Sequence, residues 1–128
     1  MTIMEVSRKY ELSQDTLRYY ERIGLIPFVH RTKGGIRDYD EEDCRWIEFS
    51  KCMRNAGMPV EALIEYVALF QQGDSTSAAR KQLLIEQRDL LLQKMEELKA
   101  TIERLNGKIE RYDQTLVPAE KKLKRSED

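Results

Sequence analysis

Ser13-Gln14-Asp15-Thr16-Leu17-Arg18-Tyr19-Tyr20-Glu21-Arg22-Ile23-Gly24 is the stretch on which the reading of this chain turns. Ser13 is a good N-cap, Gly24 a natural stop, and the ten residues between them contain no Gly or Pro. The pattern predicts a helix from Gln14 to Ile23. Upstream, Thr2-Ile3-Met4-Glu5 fits a capping box, with Thr2 as the cap and Glu5 reaching back, so another short helix runs to about Tyr10. Glu11-Leu12-Ser13 is then a tight turn, and two short helices joined in this way have helix-turn-helix spacing.

Downstream, two β-prone stretches, Leu25–Arg31 and Ile36–Tyr39, flank Thr32-Lys33-Gly34-Gly35 and read as a hairpin wing. Asp40-Glu41-Glu42-Asp43 opens a third helix with its carboxylates at the favourable end of the dipole. Trp46, Phe49, Met53 and Ala56 are expected to form its apolar side before Gly57 ends it. Pro59 starts a fourth helix, in which Val60, Leu63, Ile64, Val67 and Phe70 keep helical period.

Beyond Ser75 the period changes. Leu84, Leu91, Leu98, Leu105 and Tyr112 lie seven residues apart, as do Arg88, Met95, Ile102, Ile109 and Leu116. Interleaved seams of this kind mark a coiled coil. A helix of about 40 residues is roughly 60 Å long, and no head of this size covers such a seam, so a second copy is expected to. The expected fold is therefore mainly α. Residues 1–73 form a winged helix-turn-helix head, with helices at 2–23, hairpin at 25–39 and a second helix pair at 40–72. A dimerisation coiled coil at 75–116 and a polar tail at 117–128 follow.

Composition narrows the function. The 128 residues are 41% hydrophobic and 35% charged, with 22 Lys+Arg against 23 Asp+Glu, so only local charge patterning argues for a polyanion partner. That patterning is present: Arg18, Arg22, Arg31, Lys33 and Arg37 are opposed only by Glu21, with Tyr19, Tyr20, Phe28 and Tyr39 among or beside them. A helix entering the major groove beside a wing on the flanking backbone needs this arrangement. No apolar run is long enough for a membrane span, and two cysteines, Cys44 and Cys52, make no disulfide framework. The expected setting is a reducing cytoplasm. No catalytic constellation, phosphate loop or Cys/His metal cage is evident, so neither enzyme activity nor a cofactor is expected. A coiled-coil adaptor would account for residues 75–116 but not for the basic run.

The run Thr16-Leu17-Arg18-Tyr19-Tyr20-Glu21-Arg22-Ile23-Gly24-Leu25-Ile26-Pro27, with Arg37-Asp38-Tyr39 and Met53-Arg54-Asn55-Ala56-Gly57-Met58, closely resembles the signature of MerR-family transcriptional regulators. The resemblance covers roughly residues 2 to 71. It implies a homodimer paired through an antiparallel coiled coil, on double-stranded promoter DNA whose spacer is too long. Activation there bends and untwists the DNA, which acts on RNA polymerase indirectly. By position, Gln14 and Thr16 are candidates for base edges, and Arg18, Tyr19, Arg37 and Tyr39 for phosphates. Arg31 and Lys33 are further wing candidates, and Tyr20 fits either the core or a phosphate. The dimer seam is assigned to Leu84, Leu91, Met95, Leu98, Ile102, Leu105, Ile109, Tyr112 and Leu116.

The two cysteines are roughly 12 Å apart along one helix, too far for an internal bridge. Cys44 reads as a packing residue. Cys52 is either a small hydrophobe or, as resemblance to the aldehyde- and electrophile-responsive branch implies, a sensor thiol. Lys51, Arg54 and Arg45 supply nearby cations, and an adduct would overpack the helix by about 1–3 kcal/mol. A repressor with an inert thiol is the alternative.

Overall fold

The computed structural model describes residues 1–112, 114, 118–121 and 123. In chain order come α1 (Ile3–Tyr10), α2 (Gln14–Ile23), α3 (Glu41–Asn55), α4 (Val60–Gln71) and α5 (Ser77–Glu110). A 3-10 turn, Asp74–Thr76, precedes α5. The chain divides into two compact units, Met1–Gln87 and Arg88–Asp128, so the opening turns of α5 belong with the head.

Local chemistry accounts for the boundaries. Thr2 and Glu5 form the expected capping box on α1, and Asp40 and Asp43 form a second on α3. Ser13 Oγ accepts from Thr16 N at 3.0 Å to cap α2. Gly24 ends that helix at φ 84°, a left-handed conformation that costs glycine little. Pro59 is the cap of α4 rather than its first residue.

The head core gathers Val6 of α1, Leu17 and Tyr20 of α2, Leu25, Ile26 and Val29 of the loop that follows, Tyr39, and Cys44 and Ile47 of α3, with Met58, Ala62 and Leu63. Ser50 is fully buried, and its Oγ donates to the Leu25 carbonyl at 2.9 Å, tying α3 to the segment that leaves α2. The face of α3 differs from expectation. Cys44, Ile47 and Ser50 point inward with Asp43, while Trp46, Phe49 and Met53 are half-buried and Ala56 is exposed. Trp46 and Phe49 pack at the edge of the core and meet Tyr66 and Phe70 of α4 in tilted and edge-on ring contacts, with Trp46 and Phe70 centroids 4.9 Å apart.

The wing also departs from the expected hairpin. Among the described residues it has one isolated antiparallel bridge, Arg31 with Arg37, and no strand. The N–H groups of its first arm are engaged elsewhere. Val29 N donates to Glu21 Oε2 at 2.7 Å and His30 N to Asp43 Oδ2 at 3.3 Å, while Pro27 has no N–H to give. A ladder cannot propagate through donors held by flanking helices. The tip is still braced, by Thr32 N on the Ile36 carbonyl at 2.8 Å and Gly35 N on that of Thr32 at 2.9 Å.

In the second unit, Leu90, Leu92, Met95, Leu98, Ile102, Leu105 and Ile109 are all exposed, and no residue of α5 is buried. Leu84 and Leu91 are half-buried and Tyr112 is exposed. Residues 118–121, within the expected polar tail, are helical. Leu116 of the expected seam, and residues 117, 122 and 124–128 of the expected tail, lie outside the described residues. None of the described helices is long and apolar enough to cross a membrane.

Candidate nucleic-acid interface

The inner face of α2 carries Leu17, Tyr20 and Glu21, all buried, at the i, i+3, i+4 spacing of a helix stripe. Its outer face therefore presents the other candidates. Gln14 and Thr16 are half-buried near the helix start, where Ser13 Oγ donates to Thr16 Oγ1 at 2.7 Å. Arg18 is exposed and held along the helix, with Nη1 3.1 Å from Asp15 Oδ1 and Nη2 3.4 Å from Gln14 Oε1. Tyr19 is exposed, with the Arg22 guanidinium 5.5 Å from its ring centroid.

The two tyrosines assigned ambiguously or outward are core residues. Tyr20 is buried, and burial raises its hydroxyl pKa. Tyr39, expected at a phosphate, is only 1% exposed. Its hydroxyl is buried with no hydrogen-bond partner among the described residues, and burial pushes its pKa up against the opposing charge of Arg37. Such a side chain presents nothing to a DNA backbone, so Tyr39 is corrected from contact to core.

Arg31 and Arg37 converge on Glu21. Arg37 Nε donates to Glu21 Oε1 at 2.8 Å and Arg31 Nη2 to the same oxygen at 3.4 Å, while Arg31 Nη1 reaches the Gly35 carbonyl at 3.1 Å. The Arg37 side chain is one-quarter exposed and that of Arg31 rather more. Lys33 stands exposed at the tip. Recognition-helix and wing candidates are thus brought together by a carboxylate that the sequence reading counted only as an opposing charge. Its place beside Leu17 and Tyr20 in the helical period was the available signal.

A second anchor was also missed. His30 Nδ1 lies 3.0 Å from Oδ2 of both Asp40 and Asp43. Asp43 is buried, and its Oδ2 also accepts from Asp40 N. The three side chains place one ligand-type atom each within 4.8 Å of one another. With backbone N–H groups already on Asp43 Oδ2, the arrangement suits a protonated imidazole.

The cysteines separate by exposure: Cys44 is buried and Cys52 exposed. Cys44 lines an open cleft of about 500 Å³ with Lys9, Tyr10, Arg45 and Glu48. The cations counted beside Cys52 bind elsewhere. Lys51 Nζ donates to the Tyr10 carbonyl, Arg54 Nη1 to that of Met58 at 2.7 Å, and Arg45 Nη2 lies 3.7 Å from Glu41.

A helix-turn-helix head with a cationic wing, followed by a long helix with an open apolar stripe, defines the architecture of a helix-turn-helix regulator. Residues 1–69 match the family model of MerR HTH family regulatory proteins, and residues 44–108 match that described as MerR, DNA binding. The chain belongs to the MerR family, whose members are transcriptional regulators and not enzymes. It is 60% identical over 88 residues to the HTH-type transcriptional regulator AdhR of Bacillus subtilis strain 168. That match spans 69% of this chain and 63% of the relative, a little under two thirds of its length. A MerR-family structure from Listeria monocytogenes aligns at 46% identity with a TM-score of 0.86, over 99% of this chain and 96% of that one. HiNmlR, a MerR family regulator lacking the sensor domain and solved bound to promoter DNA, aligns at 28% identity with a TM-score of 0.80, over 91% and 92% of the two chains.

Proposed function

We propose that this chain is a homodimeric, sequence-specific transcriptional regulator of promoter DNA, switched by a small electrophile at Cys52. The observation that carries the DNA reading is the outward-facing run on α2, half-buried Gln14 and Thr16 with exposed Arg18 and Tyr19, beside a wing that bears Arg31 and Lys33. In this reading α2 enters the major groove, with Gln14 and Thr16 on base edges and Arg18 and Tyr19 on phosphates. The wing holds the neighbouring backbone, and the exposed stripe of α5 from Met95 to Ile109 pairs with a second copy in an antiparallel coiled coil.

The dimer bends and untwists an over-long promoter spacer, at a deformation cost on the order of 1–6 kcal/mol, and so acts on RNA polymerase through the DNA. A signal then has only to bias two arrangements of the dimer by a comparable amount. Cys52 suits the entry point because its thiol is exposed while Cys44 is buried. An adduct on an exposed thiol does not overpack its own head, so it works through whatever covers that surface in the assembled complex.

Transcription from the chain's own upstream promoter region, with and without formaldehyde, tests the proposal. The native protein is expected to switch and Cys52→Ser to bind the same DNA without switching. An equal response from both removes Cys52 from the signal path. Absence of DNA binding by the native protein overturns the reading as a whole.

A further inference from the structure

Glu21 is a buried carboxylate behind the cationic surface, a position that is costly unless its charge is paired. Its side chain is 4% exposed. Oε2 accepts Val29 N at 2.7 Å, and Oε1 takes both Arg37 at 2.8 Å and Arg31 at 3.4 Å. A buried carboxylate requires such partners, and two guanidinium groups on one oxygen are oriented by it. Glu21 also lies on the inner face of α2, so the helix that carries the base-reading candidates fixes the wing's arginines from behind.

We propose that Glu21 is a positioning residue for sequence discrimination. It orients Arg31 and Arg37 against α2 and withholds part of their charge from phosphates, so the wing grips DNA only where α2 is in register. The proposal rests on the DNA-binding reading above. Phosphate contacts carry no sequence information and support binding to any duplex. Two untethered arginines would therefore strengthen binding to random DNA, while the loss of a fixed wing weakens the geometry that favours the correct site. Exposed Lys33 and the helix-bound Arg18 face no such restraint from Glu21.

Glu21→Gln is nearly isosteric and keeps an oxygen for Val29 N, but removes the charge. Native and variant proteins are titrated by fluorescence anisotropy against two duplexes, one from the chain's own upstream promoter region and one of random sequence and equal length, over a range of salt. For the variant, the salt slope on random DNA is expected to steepen by about one phosphate contact, a change of roughly 0.9. Preference for the promoter duplex is expected to fall on the order of tenfold. Glu21→Asp, which retains the charge, is expected to recover much of the native slope. Equal weakening of Glu21→Gln on both duplexes with the slope unchanged would overturn the proposal, because that is the mark of a damaged fold. So would Glu21→Asp matching Glu21→Gln. If the native protein binds neither duplex, the DNA-binding reading falls and takes this inference with it; native discrimination with an unchanged Glu21→Gln overturns this inference alone.

Discussion

His30 Nδ1 lies 3.0 Å from Asp43 Oδ2, which joins the wing to the N-terminal end of α3 through an imidazole and a buried carboxylate. The Asp43 hydrogen bond, followed by the charges of Asp43, Asp40 and Glu42, raises the imidazole pKa above its ordinary 6.5. The folded state therefore binds this proton more tightly than the unfolded chain. The resulting stability is fully present below about pH 6.5 and is lost as pH rises through the raised folded value. Thermal unfolding from about pH 5 to about pH 9 should show that decline in the native protein and a flatter profile in His30→Gln. Identical profiles would mean that the pair contributes nothing to folding.

Tyr39→Phe separates core from contact. The Tyr39 hydroxyl is buried with no partner, so its removal relieves a desolvated group instead of breaking a bond. Stability should stay level or rise by up to about 1 kcal/mol, and DNA affinity should not change. Clear destabilisation in urea would reveal a partner for the hydroxyl in solution.

The thiols should differ in rate. Iodoacetamide added to the folded protein is expected to alkylate exposed Cys52 first, with buried Cys44 reacting more slowly. Peptide mapping after a short exposure decides this, and equal labelling would contradict the burial of Cys44.

Arg18→Ala should weaken binding to promoter and random duplexes alike and reduce the salt slope by about 0.9, as for the loss of one phosphate contact. The side chain is exposed and held only by Asp15 and Gln14 on its own helix, so the head should keep its thermal stability. An unchanged slope would remove Arg18 from the backbone contacts.

Leu98→Asp addresses the seam. Leu98 is 64% exposed in the single chain, and a charge there opposes any apolar pairing of α5. Sedimentation at micromolar concentration should show the native dimer and a dissociated or unfolded variant. A stable Leu98→Asp dimer would refute the heptad register.

Much of the architecture was legible because it is written in short-range chemistry. The Thr2–Glu5 box, the Ser13 cap and the left-handed Gly24 act within one helical turn, the first two starting a helix and the last ending one where the residues imply. The seven-residue recurrence from Leu84 likewise needs no tertiary information, since it is a property of one helix. The resemblance to MerR regulators rested on contiguous runs, and the family match confirms it.

What the sequence did not decide is which members of the basic aromatic run face outward. Tyr19 and Tyr20 are neighbours of the same type, yet one is exposed and the other buried. Arg31 and Arg37 look equivalent as charges, but Glu21 holds Arg37 the more closely. The wing's missing ladder has the same origin, because Val29 and His30 give their N–H groups to carboxylates on α2 and α3. By itself the sequence determined the four helices of the head, most of their ends, the long helix that follows and the family, since caps and periodicity are local. Only the tertiary structure decided which charges and hydroxyls remain available, because burial and pairing are set by residues distant in the chain that meet only when the head folds.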